Sequence, residues 1–384
     1  MRVLIDYRPA LRQRSGSGEY THQLAQALLA AYPAAAVPCA LELTLFSSSW
    51  KDRLAPPPDL AGAAVVDRRL PVRLLNFAWH RLEWPAAETL AGGAFDVVHS
   101  PHPLLTPARH AAQVITIHDL DFLTHPERTR AEVRRDYPSL ARAHAQRAAA
   151  VLVPSAYTAG EVERRLDVPR DRMAICPPGA PDWTPRAAAP KDGYVLFFST
   201  LEPRKNVSGL LDAWERMTSH LASKRPAPQL ILAGRATEEA QPWLERIARP
   251  PLAGSVRHIG YVGAADRRAL YEGARLLVQP SFDEGFGLPV LEAMTLGVPV
   301  VAANRGSLPE VLGGAGLLVD PDRPEEIAQA ITRLLTDEGL AASCAEKGVA
   351  RSRAFRWEDT AHRVFATYRQ AIDRRGPAEA GHRR

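Results

Sequence analysis

Cysteine is scarce in this chain: three in 384 residues, at Cys39, Cys176 and Cys344. They lie far apart, with neither metal-ligand spacing nor a disulfide framework, and a reducing cytosol suits them. No segment reaches the ~18 consecutive apolar residues of a membrane-spanning helix. The first residues, MRVLIDYRPA, run straight into a strand pattern, without the apolar stretch of a signal peptide. No cluster of metal ligands stands out, so neither a metal nor another cofactor is expected. The Gly-x-Gly-x-x-Gly fingerprint of dinucleotide-binding folds is absent, which disfavours a nicotinamide dehydrogenase. No short repeat is visible. Charge of one sign is not in large excess either. A formal charge of +5 and a pI near 9.2 permit contact with diphosphates, nucleic acid or an anionic membrane and select none of them.

What is present is a long alternation of short apolar runs with helical patterns. A length of 384 residues suggests two domains, and 46 % hydrophobic residues supply sizeable cores. Strands are predicted at 2–6, 40–46, 95–99, 113–117 and 150–154, then at 194–199, 229–233, 256–259, 275–279, 298–303 and 316–319. Between them lie amphipathic helices, such as 19–31 with Tyr20, Leu24, Ala27 and Leu28 on one face, and 155–166 with Ser155 as N-cap. Strand–helix alternation argues for parallel sheets covered on both faces, here twice over: an α/β chain of two doubly wound, Rossmann-like domains. The expected organisation is an N-terminal domain over 1–180, a Pro- and Ala-rich linker at 181–193 and a second domain over 194–354. A helix at 355–373 and a disordered polar tail at 374–384 follow. Ligands of open α/β sheets bind at the carboxyl ends of the strands, so two such edges facing each other would make one cleft.

The candidate chemistry sits at those ends. In DEGFGLPVLEAMTLGVPVV, Glu284 and Glu292 flank a Gly-Phe-Gly-Leu-Pro turn. Gly285 and Gly287 allow close backbone approach. Pro289 suits the first position of a short helix, 289–296, that ends at Gly297. A helix opened in this way attracts phosphate, and acceptors beside it suit the hydroxyls of a sugar nucleotide. The alternative is a solvated helix residue and an ordinary loop acid. In LEPRKN, Arg204 and Lys205 can neutralise a departing diphosphate, or form a solvated basic loop. In RSGSGEY, Gly16 and Gly18 open the first helix beside a phosphate or sugar, or form a plain flexible loop. In TIHDLDF, His118 stands at a strand end, able to bond a sugar hydroxyl or to serve the packing. For His99 and His102 the packing role has more force. Arg235, after LILAG, can reach a phosphate or a base, or simply end a strand. The stretch 68–85 mixes Arg68, Arg69, Arg73 and Arg81 with Leu74, Leu75, Phe77, Trp79 and Trp84. It reads as a buried helix with a basic outer face, or as a surface that lies on a membrane.

STLEPRKN, LILAGRA, GYV and PSFDEGFGLPVLEAMTLGVPVVAANRGSLPEVLGGAGLLVDP, in this order, resemble the retaining glycosyltransferases of the GT-B fold, specifically family 4. The resemblance runs from MRVLID to about Tyr368. The N-terminal half, with TIHDLDF and VLVPSAYTAGEV, is similar to bacterial mannosyl- and rhamnosyltransferases of polysaccharide assembly. The glycine loop LRQRSGSGEY is longer and more basic than the simplest family pattern, which leaves the acceptor open. The resemblance implies that Glu284 accepts hydrogen bonds from the donor sugar, with the backbone of Phe286 and Gly287 alongside. It also implies that the N–H of Leu288 holds the distal phosphate, that Glu292 binds the ribose and that Arg204 and Lys205 bind the diphosphate. Gly16 and Gly18 would close on donor and acceptor, His118 would contact the sugar near its anomeric carbon, and Tyr261 and Val262 would flank the base. The helix at 355–372 would cross back to the first domain. The expected partners are a nucleotide diphosphate sugar, first GDP-mannose and otherwise a UDP- or dTDP-sugar, and an acceptor saccharide that a lipid can carry. Nucleic acid is not expected. The expected place is the cytoplasm, including the cytoplasmic face of the inner membrane. A nucleotide-sugar-binding protein without catalysis is the contrasting reading, against which the presence of Arg204, Lys205, Glu284 and Glu292 argues.

Overall fold

A computed structural model describes residues 1–11, 14, 16–34, 40–55, 57–126, 131–221 and 229–375, with the backbone alone at 131–136 and 219–221. Cys39 and the polar tail from residue 376 lie outside the described residues. The chain divides into two compact units, Met1–Gly179 with Arg356–Arg384, and Ala180–Phe355.

In unit 1 the elements run β1 (Arg2–Asp6), α1 (Ser17–Ala31), β2 (Glu42–Ser48), β3 (Ala64–Arg68), α2 (Val72–Phe77), α3 (Ala87–Ala91), β4 (Val97–Ser100), β5 (Ala112–Thr116), α4 (Asp121–Thr124), α5 (Ala131–Arg147), β6 (Ala150–Val153), α6 (Ala156–Leu166) and β7 (Met173–Ile175). The sheet is parallel throughout, in the order β3-β2-β1-β4-β5-β6-β7. The order reverses between β1 and β4, the switch point of a doubly wound sheet. Strand residues alternate between the two faces: Val3 and Ile5 pack with Tyr20, Leu24 and Leu28, while Leu4 packs with Phe46 and Trp79 on the other side. Ser155 caps α6 by accepting from Thr158 N–H at 3.1 Å.

Unit 2 contains β8 (Tyr194–Phe198), α7 (Val207–Leu221), β9 (Leu230–Ala233), α8 (Gln241–Ile247), β10 (Val256–Gly260), α9 (Ala264–Glu272), β11 (Ala274–Gln279), α10 (Leu288–Thr295), β12 (Val300–Ala303), α11 (Leu308–Leu312), β13 (Leu317–Val319), α12 (Pro324–Thr336) and α13 (Glu338–Ser352). Its six parallel strands lie in the order β10-β9-β8-β11-β12-β13, with the switch point between β8 and β11. Val195 and Phe197 face Trp214 and Ile331; Leu196 faces Val290, Leu291 and Tyr271. The Pro-rich segment 181–193 lies along this unit. Trp183 packs 6.0 Å from the Tyr271 ring, and Arg186 donates to the carbonyls of Ala274, Glu272 and Gly297. The final helix, α14 (Trp357–Arg375), belongs to unit 1, where Ala361, Val364, Phe365 and Tyr368 join the core around α1.

Every strand read from the sequence is present within two or three residues, and two more, β3 and β7, were not anticipated. Both are short and only partly buried, so neither carries a sustained apolar run. The stretch 68–85 departs from the buried-helix expectation. Leu75 and Trp79 are buried, but Leu74, Phe77, Leu82 and Trp84 are all more than half exposed. Among the described residues no helix is long and apolar enough to cross a membrane.

Candidate functional site

The unit-2 switch point brings together Arg204, Lys205 and Glu284, with Glu292 on the helix that follows, whereas Gly16, Gly18 and His118 belong to unit 1. After β8 the chain makes a 3-10 turn, Pro203–Lys205, that ends at Asn206 with φ of 57°. Asn206 stops the turn and caps α7, its Oδ1 accepting from Gly209 N–H at 3.1 Å. The turn is fastened to the loop after β11 by Phe282 N–H, which donates to the Arg204 carbonyl at 2.8 Å. Lys205 is thereby carried under Glu284. Its Nζ donates to Glu284 Oε1 at 2.7 Å, and only 5 % of Lys205 is exposed. A solvated basic loop does not describe this.

Glu284 Oε1 accepts twice more, from Gln279 Nε2 and Ser281 Oγ, each at 2.9 Å. The Glu284 carbonyl accepts from Ser307 N–H at 3.0 Å and Ser307 Oγ at 2.9 Å. Oε2 is left with Arg204 Nη1 at 3.9 Å. Burial pushes the Glu284 carboxyl up, but the charges of Lys205 and Arg204 outweigh it and hold the pKa below its ordinary value. The site therefore keeps an ionised carboxylate with one oxygen committed to the protein and the other turned to Arg204. Arg204 itself is held by Glu202, at 2.6 Å from Nε to Oε1.

Glu284 leads into α10. Gly287, at φ of 97°, is its N-cap, and among the described residues no side chain caps it. The helix begins at Leu288, so Pro289 is its second residue rather than its first. Glu292, one turn in, is buried, not solvated: Arg267 Nη1 donates to Oε1 and Tyr271 Oη to Oε2, both at 2.8 Å. Burial, with Glu292 beside it, pushes the Tyr271 hydroxyl well above its usual range, so it stays a donor. Phe286 is buried against this same core, with its ring 5.6 Å from Phe355. Gly234 bonds its carbonyl to His258 Nε2 at 2.8 Å, Arg235 is exposed beside it, and Tyr261 and Val262 follow β10, exposed and half-buried respectively.

In unit 1, His118 follows β5. Its ring keeps some exposure, while its Nε2 is buried with no hydrogen-bond partner among the described residues. Burial pulls its pKa down to about 4. The neighbouring Pro101 carbonyl favours the charged ring but does not offset burial, so the imidazole stays neutral. The Tyr20 ring lies edge-on at 5.0 Å. Gly18 presses on the turn after β1, for a Cβ there would stand 2.5 Å from the Pro9 carbonyl oxygen, whereas a Cβ at Gly16 would meet nothing within 4 Å among the described residues. His99 is a packing residue, bonded to Tyr368 Oη at 2.7 Å and Thr116 Oγ1 at 2.8 Å. His102 bonds Asp6 at 3.2 Å.

Two Asp-x-Asp pairs occur, Asp119/Asp121 and Asp320/Asp322, yet among the described residues no group of three or more His, Cys, Asp or Glu could hold a metal. Arg305 pairs with both Asp320 and Asp322. Sequence reasoning missed Gln279, Ser281, Arg267 and Tyr271. Gln279 is visible in hindsight as the one polar residue closing the apolar strand LLVQ, and Arg267 and Tyr271 as an i, i+4 pair.

Two parallel doubly wound units, with cations, a carboxylate and a helix end at one switch point, define a GT-B glycosyltransferase. Residues 14–182 match the family described as Glycosyltransferase Family 4, and residues 192–337 the one described as Glycosyl transferases group 1. The chain is 34 % identical over 286 residues to the O-antigen chain mannosyltransferase B of Escherichia coli, covering 71 % of this chain and 74 % of that one. It belongs to glycosyltransferase family 4. The sucrose-phosphate synthase of Thermosynechococcus elongatus shares the fold with a TM-score of 0.76 at 21 % identity, covering 97 % of this chain and 99 % of that one. WaaG, a glycosyltransferase involved in lipopolysaccharide biosynthesis, does so with 0.69 at 16 %, covering 98 % and 100 %.

Proposed function

We propose that this glycosyltransferase moves mannose from GDP-mannose to a hydroxyl of a saccharide acceptor carried on a lipid, in bacterial polysaccharide or glycolipid assembly at the cytoplasmic face of the membrane, and that it retains the anomeric configuration. The observation that carries the reading is the buried Lys205–Glu284 pair at the mouth of α10. It joins a positive charge for the leaving diphosphate to a carboxylate for sugar hydroxyls. The choice of mannose is supported by the relative's name.

In this reading Arg204, Lys205 and the N–H groups at Gly287 and Leu288 take the charge that builds on the diphosphate. Glu284 holds the sugar through Oε2, since Oε1 is occupied by Lys205, Gln279 and Ser281. Glu292, aligned by Arg267 and Tyr271, holds the ribose. Arg235, Tyr261 and Val262 line the base, and His118 Nε2 accepts a hydrogen bond from a sugar hydroxyl. Gly16 and Gly18 let the start of α1 come close to the substrates. The bond from anomeric carbon to phosphate oxygen breaks while the acceptor oxygen bonds to the same carbon from the same face. The acceptor proton passes to the departing diphosphate oxygen. Glu284 is not a nucleophile here, and no divalent cation takes part.

A panel of GDP-, UDP- and dTDP-sugars incubated with lipid-linked acceptor, with and without chelator, tests this. GDP-mannose is expected to be consumed with an α-linked product and no loss on chelation. Parallel melting curves with GDP, UDP, dTDP and ADP are expected to shift most with GDP, because a ligand of the folded state raises its melting temperature. Turnover of a UDP- or dTDP-sugar instead would overturn the donor assignment. Absence of any nucleotide shift or turnover would overturn the reading as a transferase.

A further inference from the structure

We infer that the outer face of α2 and the turn that follows it, with Trp50 beside them, is a docking surface for an anionic lipid bilayer. Leu74, Phe77, Leu82 and Trp84 are all more than half exposed, with Leu74 at 67 % and Trp84 at 64 %. Leu74 and Phe77, three residues apart, share one helical stripe, and Arg81 continues it through the π turn Ala78–Leu82. The opposite stripe, Leu75 and Trp79, fills the core against Phe46 and Phe95. The helix is thus apolar on both sides: among the described residues Leu75 and Trp79 are covered, while Leu74 and Phe77 stay more than half exposed. Large exposed apolar residues gathered in one place mark an interaction surface.

Trp50 adds to the same face. It is 67 % exposed and follows Ser49, whose N–H donates to the Arg68 carbonyl at 3.2 Å, while Ser48 Oγ donates to the Leu70 carbonyl at 3.0 Å. The ends of β2 and β3 therefore emerge together, and Leu70 and Val72, both exposed, bridge to α2. Around this apolar patch stand Arg68, Arg69, Arg73 and Arg81, all exposed, with Lys51 next to Trp50. The one acid within 68–85, Glu83, is bound by Arg147 at 2.9 Å. Two exposed tryptophans, a phenylalanine and leucines ringed by arginines fit the boundary of an anionic bilayer. There, apolar side chains enter the acyl edge and the cations meet headgroup phosphates. A second copy of the chain fits less well, because a self-complementary contact through this face would bring two arginine rims together.

The surface is tied to the unit-1 switch point. Arg8, fixed by a bidentate pair with Asp6, donates Nη1 to Asn76 Oδ1 at 2.8 Å and stacks on Trp79 at 4.6 Å. A bilayer seated on α2 would lie beside the carboxyl ends of β1, β2 and β3. This placement gives a purpose to the docking that rests on the acceptor being lipid-carried; the docking itself does not.

The test is sedimentation of the full chain with vesicles of pure phosphatidylcholine or of equal parts phosphatidylcholine and phosphatidylglycerol. Binding is expected to the second only, and to weaken as salt screens the arginines. The L74E/F77E/W84E variant is expected to lose binding on the order of tenfold or more, and R69E/R73E likewise by about tenfold, since each cation near the surface matters comparably. The second variant leaves the apolar residues in place, so it still decides if the first fails to fold; melting curves report on both. Wild-type protein that stays in solution, or variants that pellet as the wild type does, would overturn the proposal. So would a dimer in light scattering that L74E/F77E/W84E dissolves. Vesicle binding together with turnover of a UDP- or dTDP-sugar would leave the docking standing and sink the donor assignment instead.

Discussion

Lys205 Nζ donates to Glu284 Oε1 at 2.7 Å, although 79 residues separate them. The contact spans the switch point of the unit-2 sheet, one partner from the turn after β8 and the other from the loop after β11. Two opposite charges so deeply buried depend on each other. Removing one leaves the other desolvated and unpaired, which costs about 3–5 kcal/mol where it has been measured. Glu284→Gln keeps the shape and is expected to leave a folded protein with transfer lowered at least ~100-fold, the scale of losing a group that acts on developing charge. Lys205→Ala is expected to lose as much activity and to melt earlier. Near-normal turnover in either variant would refute the roles given to the pair.

Tyr271→Phe deletes only the hydroxyl that donates to Glu292 Oε2. A single hydrogen bond of this kind is worth about 0.5–1.5 kcal/mol, more toward a charged acceptor. The expected result is a several-fold rise in KM for the nucleotide sugar with kcat little changed, because the ribose contact is made equally in ground and transition states. An equal fall in kcat with KM constant would argue against Glu292 as the ribose acceptor.

Gly234 has φ of 135°, and a Cβ there would stand 1.9 Å from the Ser199 carbonyl oxygen. Since the obstacle is backbone, Gly234→Ala cannot be relieved by a rotamer change. It is expected to destabilise unit 2 by about 4 kcal/mol or more, in the exceptional tail of point mutants. Gly16→Ala, with nothing among the described residues close to its Cβ, meets only the backbone strain of φ 49° and ψ −110° and is expected to cost about 1–3 kcal/mol. Denaturant melts of the two variants check the order.

Acid should weaken unit 1 in a defined window. Burial lowers His118 and His144 from 6.5 to about 4, and His99 to about 3. Below pH 6.5 the unfolded rings take up protons that the folded rings refuse. Stability from this source is therefore fully present above 6.5 and drains as pH falls toward 4 and 3. The slope is at most about 1.4 kcal/mol per pH unit for each histidine. Urea melts between about pH 7.5 and about pH 5.5, one unit on either side of the ordinary histidine value, are expected to show stability falling with pH. A flat profile would contradict the buried neutral rings.

His118 Nε2, without a hydrogen-bond partner among the described residues, also bears on activity. His118→Ala is expected to lower transfer by the ~100-fold scale of a lost polar contact at a reacting centre, and His118→Gln to recover part of it, because an amide oxygen can accept in the same direction. Equal activity in all three proteins would leave His118 a packing residue.

Much of the fold was legible because it is written in local chemistry. Strands buried on both faces need unbroken apolar runs, and YVLFF, LILA and VVAA supply them. Ser155 announced its helix by the hydroxyl that caps it. Where burial is partial the signal fades, as for β3 and β7. The loop around Glu284 was legible too, since Gly287 and Pro289 restrict the backbone whatever surrounds them.

Sequence by itself marked most of the strands, their alternation with helices, and a glycine-opened helix that carries two acids. Only the tertiary structure decided what those acids face. Lys205, Gln279 and Ser281 converge on one oxygen of Glu284, and Arg267 and Tyr271 on Glu292, because the strand order of a parallel sheet sets distant loops side by side. It also decided which side of α2 is covered. The composition of 68–85 suits an inner or an outer surface equally, and the difference lies in whether another element packs there, which is a property of the whole unit and of no single stretch of chain.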